Sequence, residues 1–360
     1  MNILHTETLK RWGGQQNRVL SEMINFKEKG YHVVLVCNKN SMIAQKSKIF
    51  GIKVYEIDLK KTNYWRTIPK LIDIIKKEKI DIVSTHSSVD SWAAGIAAKL
   101  CGRKFVRFKH NMFPINRSFL TRFIYSLPDK FIAISEPIKD LMIHYGISSA
   151  KIEVVPTSVD IDKFNPSVVP DLRKHFSVPE DALVIGNISG FTKHKAQHVL
   201  FQAFSLVNEK YPCFLLLAGN ISEQKKQEYL SFVKRQFQNR VIFTGYREDI
   251  PSVLKSIDIY VSSSVSEGLS VAVLEAMAME KSIVVSDIPA FKTFVKDGFN
   301  GLFFKSENSE ELKGKILFLI ENKKYREEIS RNARQTVLDR FNLKKMIEDT
   351  ERIYKELINV

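Results

Sequence analysis

The feature that most limits how this chain can fold is an alternation of short apolar runs with stretches whose apolar residues recur at helical spacing. Residues 2–6, 32–36, 53–57, 80–85, 104–109 and 130–134 read as strands, and 16–28, 68–77 and 91–100 as amphipathic helices among them. Strands separated by helices pair in parallel, because a parallel neighbour is reached only through a crossover. The first half is therefore expected to be a mainly parallel sheet with helices on both faces. Pro156, Pro166, Pro170 and Pro179 interrupt the rhythm, marking a linker. It then restarts, with strands at 183–188, 214–218, 241–244, 257–263 and 282–286 and helices from about 196, near 227–237 and from 270. Beyond Gly301 the pattern is mostly helical and ends in a basic amphipathic stretch, 343–357.

This pattern predicts an α/β protein of two Rossmann-like parallel-sheet domains, 1–165 and 166–342. A terminal helix over 343–360 is a candidate to cross back to the first domain. A length of 360 residues accommodates two such cores, and 44% hydrophobic with 26% charged residues excludes a disordered or fibrous chain. Cys37, Cys101 and Cys213 are widely spaced and form no Cys-x-x-Cys pair, which fits a reducing cytoplasm. Residues 1–7 read as a strand rather than a signal peptide, and no apolar run approaches the ~20 residues of a spanning helix. Charge is unevenly divided: the net +15 splits into +12 for residues 1–165 and +3 for the rest. An excess of that kind suits an anionic partner, either nucleic acid or an acidic membrane surface.

The most informative stretch is Ser262-Ser263-Ser264-Val265-Ser266-Glu267-Gly268-Leu269-Ser270, followed by Val271-Ala272-Val273-Leu274-Glu275-Ala276-Met277-Ala278. It follows an apolar strand and opens a helix. Gly268 permits close backbone approach to a ligand, Ser270 is placed to cap the helix, and the helix N-terminus suits a phosphate. Glu267 falls in the loop and Glu275 about one and a half turns inside the helix, so both carboxylates can border one crevice at the sheet's C-terminal edge.

Glu267 and Glu275 reproduce the Glu-x7-Glu motif, and the chain resembles the retaining glycosyltransferases of family 4, which have the GT-B fold with two domains facing a cleft. Gly13-Gly14 resembles that family's N-terminal glycine loop, and Val155-Pro156-Thr157-Ser158-Val159-Asp160 with Phe164 its interdomain segment. Phe243-Thr244-Gly245-Tyr246-Arg247 is similar to its nucleobase loop, and Asp297-Gly298-Phe299-Asn300-Gly301-Leu302 to the turn closing the second domain. The resemblance implies a nucleotide-sugar donor held by the second domain and a saccharide or lipid-linked acceptor at the first. Glu267 would contact the donor sugar, Glu275 the ribose, and backbone amides of Gly268, Leu269 and Ser270 the diphosphate. Tyr246 and Arg247 would line the base, with Gly13 and Gly14 near the phosphates.

The family also places an Arg and a Lys over the diphosphate. Lys195 matches the Lys, whereas Gly190 stands where the Arg is expected and Lys193 offers a substitute charge, though a point charge rather than a bidentate fork. His110, after the strand 104–109, matches the family's active-site histidine, which contacts the donor sugar. His86 and Ser87 close the preceding strand and are candidates for the acceptor, while His194 and His198 read as surface residues.

With no Asp-x-Asp at a strand end, His-x-x-x-His face or clustered Cys, no metal or other cofactor is expected. Retention in this family resembles a front-face displacement, so no side-chain nucleophile is assigned. Residues 85–94 look like members of bacterial lipopolysaccharide or surface-polysaccharide assembly, and the expected location is the cytoplasm, with peripheral contact at the inner face of the membrane. Basic–aromatic segments at 60–66 and 117–125 are the candidate lipid surfaces, and nucleic acid is not expected as a partner. The rival readings are a nucleotide-sugar epimerase of the same fold and an inactive membrane- or nucleic-acid-binding module.

Overall fold

The computed structural model describes residues Met1–Asn359. The chain divides into two compact units. One comprises Met1–Thr157 together with the chain from Lys344 onward, and the other comprises Ser158–Leu343.

The first unit is built on β1 (Asn2–Glu7), β2 (His32–Cys37), β3 (Lys53–Glu56), β4 (Ile82–Thr85), β5 (Lys104–Lys109), β6 (Lys130–Ala133) and β7 (Ile152–Val154). They form one seven-stranded sheet in the order β3-β2-β1-β4-β5-β6-β7, with every pair parallel. β1 lies between β2 and β4, with Leu4 opposite Val34 on one side and Val83 on the other. Such a strand is covered on both faces, which is why Ile3 and Leu4 are fully buried. On one face Leu4, Val34, Val36 and Val83 pack with Ala93, Ala94, Ala97 and Ala98 of the helix Ser88–Leu100. Ser87 and Asp90 close a capping box that starts this helix where β4 ends.

The second unit repeats the plan with β8 (Leu183–Ile188), β9 (Cys213–Ala218), β10 (Val241–Gly245), β11 (Ile259–Ser262), β12 (Ser282–Ser286) and β13 (Leu302–Phe304), ordered β10-β9-β8-β11-β12-β13 and again all parallel. Its core joins Ile185, Leu215, Leu217, Ile259, Val261 and Val284 to Val199, Leu200, Phe201 and Phe204 of the helix Gln197–Val207. Gly219 sits at φ +157, where an added Cβ would lie 2.1 Å from the Ser189 carbonyl oxygen, so only glycine lets the ends of β8 and β9 approach this closely.

One local expectation needs correction. The helix placed near 227–237 runs from Glu223 to Leu230, capped by Ser222, and Arg235–Arg240 is a 3-10 turn. The region after Gly301 is mostly helical as expected, the short strand β13 being followed by the helices Ser309–Glu321, Lys323–Arg340 and Leu343–Ile358.

The terminal helix Leu343–Ile358 packs into the first unit through Tyr354, fully buried, whose hydroxyl lies 2.9 Å from Ser84 Oγ and 3.2 Å from Glu22 Oε1. Glu22 itself stands 3.7 Å from the buried guanidinium of Arg18, which donates to the Val155 carbonyl at 2.7 Å. Burial pushes the Glu22 carboxyl up to about 7, with Arg18 and Tyr354 acting against that shift. Tyr354→Phe removes the hydroxyl but little volume and is expected to cost about 1–2 kcal/mol, read as a lower denaturant midpoint at unchanged m.

Candidate functional site

In an open parallel sheet, ligands bind outside the carboxyl ends of the strands where the strand order reverses. In the second unit that point lies between β8 and β11, where the loops after Ile188 and Ser262 emerge side by side. They are stitched together: Asn187 Nδ2 donates to the Val261 carbonyl at 2.8 Å, Val265 N–H to the His194 carbonyl at 2.9 Å, and Ser263 Oγ to the Lys195 carbonyl at 3.0 Å. Ser286 Oγ of β12 holds the Ser264 carbonyl.

This bracing brings Lys195 and Glu267, 72 positions apart, into direct contact. Lys195 Nζ donates to Glu267 Oε1 at 2.5 Å, and Ser264 Oγ donates to the same oxygen at 2.8 Å. Lys193 lies two residues before Lys195 on the same 3-10 turn, Lys193–Lys195, and is exposed. A Cβ built at Gly190 would meet nothing within 4 Å, so the position expected to carry an Arg is open space.

The loop runs into the helix Val271–Ala278, and here one local expectation fails. Ser270 holds the N-cap position with extended backbone (φ −86, ψ 100), but its side chain makes no capping bond. The first turn therefore offers its N–H groups without a side-chain acceptor, the arrangement that an anion completes. Leu269 turns its side chain inward, 7% exposed.

Glu275, one and a half turns on, is partly buried, and among the described residues no donor bonds to its carboxylate. Burial pushes its pKa up to about 7, and the only opposing influence is the charge of Lys163. An unpaired carboxylate held at that cost is what a site for hydroxyl donors looks like before they arrive. At the outer strand, β10 ends at Gly245 (φ +71), followed by Tyr246, 45% exposed, and Arg247, whose guanidinium is engaged in bidentate fashion by Asp249 at 2.8 and 2.5 Å.

The corresponding point of the first unit lies between β1 and β4. Gly13 is the extended N-cap of the helix Gly14–Glu28, so the pair Gly13-Gly14 opens a helix rather than a tight turn, and both residues are exposed. The loop before it is shaped by Glu7, which accepts from the Thr8 and Leu9 amides at 2.8 and 2.9 Å and from the side chains of Gln15 and Gln16 at 2.7 and 3.0 Å.

His110, after β5, is partly buried, and its Nε2 lies 3.2 Å from His86 Nδ1. His86 Nε2 in turn lies 3.1 Å from His5 Nδ1. Both nitrogens of His86 are thus engaged by other rings, and this 3%-exposed residue stands behind His110 rather than at the surface. Ser87 Oγ belongs to the capping box and is 2.7 Å from Thr8 Oγ1. Among the described residues no group of three or more His, Cys, Asp or Glu side chains converges as metal ligands; the histidines form a line instead.

His5, Glu7 and Asp90 were not singled out from the sequence. Their signal was available: His5, Thr6 and Glu7 are polar residues ending an otherwise apolar central strand. Asp90 is fully buried, accepts from Thr6 Oγ1 at 3.0 Å and from the Ser87 amide at 2.9 Å, and has its pKa pushed up to about 7 by burial, then by Glu7.

Because the folded-state pKa of Glu275 lies above the ordinary 4.5, this group weakens the fold as pH rises from about 4.5 through about 7. Glu275→Gln is expected to raise stability by on the order of 1 kcal/mol at about pH 8 and to give no gain at about pH 4, read from thermal melts at the two pH values.

Residues 12–163 match the family Glycosyltransferase Family 4, and residues 168–336 match Glycosyl transferases group 1. An Escherichia coli protein, UDP-Gal:alpha-D-GlcNAc-diphosphoundecaprenol alpha-1,3-galactosyltransferase, is 24% identical over 99% of this chain and 97% of its own length. The Campylobacter jejuni N,N'-diacetylbacillosaminyl-diphospho-undecaprenol alpha-1,3-N-acetylgalactosaminyltransferase is 28% identical over 64% of this chain and 61% of its own. Among solved structures, a glycosyltransferase from Rickettsia africae shares the fold at TM-score 0.92 and 24% identity, covering 99% of this chain and 98% of that one. Anabaena HepE in complex with UDP-glucose does so at TM-score 0.87 and 20% identity, covering 99% and 100%. Two parallel-sheet units, each matched by a glycosyltransferase family model, identify the chain as a glycosyltransferase with the GT-B fold.

Proposed function

We propose that this enzyme moves a sugar from a nucleotide-sugar to a lipid-linked saccharide acceptor during assembly of lipopolysaccharide or another surface polysaccharide, with retention of anomeric configuration. The observation that carries the donor assignment is the unpaired, partly buried Glu275 carboxylate beside an uncapped helix N-terminus and the Lys195–Glu267 pair. Carboxylates suit ribose and sugar hydroxyls, while amides and a lysine suit a diphosphate. A uridine diphosphate sugar is the donor to test first, since the Escherichia coli relative is named for UDP-Gal and the Anabaena structure holds UDP-glucose. Both curated relatives are named for diphosphoundecaprenol-linked acceptors, which supports a polyprenyl diphosphate saccharide here.

In this reading the bond between the anomeric carbon and the diphosphate oxygen breaks as the acceptor oxygen bonds to that carbon on the same face, and the acceptor's hydroxyl proton passes to the departing diphosphate oxygen. Lys195, Lys193 and the amides of Gly268, Leu269 and Ser270 meet the charge that develops on the leaving diphosphate. Glu267 and His110 hold the sugar, Glu275 the ribose, Tyr246 and Arg247 the base, and the Gly13–Gly14 loop lies by the phosphates. No metal is assigned a role. Lys195 rests on Glu267 before the donor binds, so the diphosphate takes over part of a charge already paired, and Glu267 is released toward the sugar.

The test offers labelled UDP-sugars to the purified chain with polyprenyl diphosphate-linked saccharides and reads the product's anomeric configuration by NMR. Transfer with inversion would overturn retention, and interconversion of the donor without acceptor would favour the epimerase reading. Lys195→Ala is expected to lower kcat about 10²–10³-fold.

A lipid-linked acceptor is met at a membrane, and no helix among the described residues is long and apolar enough to cross one. The first unit instead exposes Phe113, Phe119, Leu120 and Phe123, the last three on the helix Phe119–Ser126, beside Arg117 and Arg122. Phe119 is 83% exposed, whereas Ile124 of the same helix is fully buried. Exposed aromatics among cations suit shallow insertion into an anionic bilayer at the cytoplasmic face. Phe119→Ser with Leu120→Ser is expected to weaken co-sedimentation with phosphatidylglycerol-containing vesicles about tenfold or more, at unchanged melting temperature.

A further inference from the structure

Three imidazoles from the ends of three adjacent strands stand in one line. His5 lies in the C-terminal half of β1, His86 follows β4, and His110 follows β5. The contacts are His5 Nδ1 to His86 Nε2 at 3.1 Å and His86 Nδ1 to His110 Nε2 at 3.2 Å. The His5 and His86 rings lie edge to edge, their centroids 5.4 Å apart with 9° between their planes, and Phe108 packs against both His86, at 4.5 Å, and His110, at 5.7 Å. The in-line nitrogen contacts and the packing of Phe108 leave the rings little freedom to flip. We propose that this line fixes which nitrogen of His110 carries the proton, namely Nδ1, and that His86 and His5 are positioning residues for the ring that meets the sugar.

The direction follows from counting donors. Burial keeps all three rings below the ordinary histidine range, His5 at about 3; for His86 the neighbouring histidines add to the effect, and for His110 Arg18 and Lys109 do. Each ring is then neutral, with one N–H and one lone pair.

Two arrangements satisfy both contacts. If the protons point from His110 inward, the last N–H falls on His5 Nε2, which is buried and has no hydrogen-bond partner. If they point outward, His5 Nδ1–H donates to His86 and His86 Nδ1–H donates to His110 Nε2. The buried atom left over is then a bare lone pair. A buried N–H without an acceptor is the rarer of the two in folded proteins, so the outward arrangement prevails. His110 Nε2 is thereby an acceptor, and its Nδ1–H, without a protein partner among the described residues, is a donor for a sugar oxygen.

The charged groups around the line are Arg18, 5.1 Å over the Phe108 ring, with Glu22 beside it, Lys109 next in the chain, and Asp90, which accepts from the His86 amide at 3.3 Å. None of them bonds to an imidazole nitrogen. The ring to which His86 donates is therefore set by histidine alone, and the identity of the second nitrogen's partner decides the tautomer.

The assignment of a sugar contact to His110 rests on the proposed function, but its tautomer does not, and the two are tested separately. Two-bond ¹H–¹⁵N correlation spectra of the full chain labelled with ¹⁵N-histidine report the protonated nitrogen of each ring. His110 is expected as the Nδ1–H form near neutral pH, opposite to the Nε2–H form that free histidine favours in water. His86→Phe removes the donor and is expected to return His110 to Nε2–H, with kcat falling about tenfold or more and donor KM changing less. His86→Gln, whose amide N–H can donate to the same atom, is expected to restore both the tautomer and most of kcat. Wild-type His110 found as Nε2–H or doubly protonated, or Nδ1–H persisting in His86→Phe, would overturn the proposal even where transfer activity is normal. A normal spectral response with no glycosyl transfer would instead leave the line intact and remove the proposed reaction.

Discussion

A parallel strand cannot reach its neighbour without a crossover, so every strand of these two sheets delivers the chain to the same edge. The central strands, β1 and β8, are buried on both faces, and polar side chains are tolerated only where they end. That one constraint gathers His5, Glu7, His86, Asp90 and His110 at one edge of the first sheet, and Lys195, Glu267 and the start of the helix Val271–Ala278 at the matching edge of the second. In both units the reversal of strand order leaves a gap at that edge, and the loops on either side of it hold the polar groups.

What was legible in the sequence was whatever repeats locally. β5, β8 and β12 stand where the apolar runs placed them, and the Glu-x7-Glu spacing marked the loop and helix of the second unit. What was not legible depends on residues far apart in the chain. β7 and β13 are three-residue strands that exist because a neighbouring strand pairs with them, and no run that short carries a signal of its own. Ser270 has the residue type and position of a cap, yet its side chain makes no capping bond, in a loop that Ser263, Val265 and Ser286 tie to other segments. The histidine line joins positions 5, 86 and 110, and nothing in local periodicity connects them.

Both units retain charge in places where a stability-driven sequence would not. Glu275, Glu22 and Asp90 are all pushed up to about 7 by burial. They differ in how that cost is met. Asp90 is satisfied by Thr6, Ser87 and the His86 amide, and it starts a helix; Glu22 has Arg18 and Tyr354. Glu275 has only the charge of Lys163, which makes it the carboxylate of the three whose cost the fold alone does not offset. Groups of that kind are kept for a ligand or lost.

Gly190 bears on how the proposed donor site shares its work. A side chain there would meet open space, so the glycine is not forced by packing, and nothing steric excludes the arginine that the resemblance implies. What remains for a diphosphate is Lys195, braced against Glu267, the exposed Lys193 and the helix amides. A guanidinium fixes two oxygens at once, whereas an ammonium on a flexible stem supplies charge with little geometry. Orientation of the phosphates then falls mainly to the backbone of Gly268–Ser270, which the serine-stitched loop holds rigid. On that reading the dense hydrogen bonding around Ser263, Ser264 and Ser286 supplies positioning that a bidentate guanidinium at 190 would otherwise give.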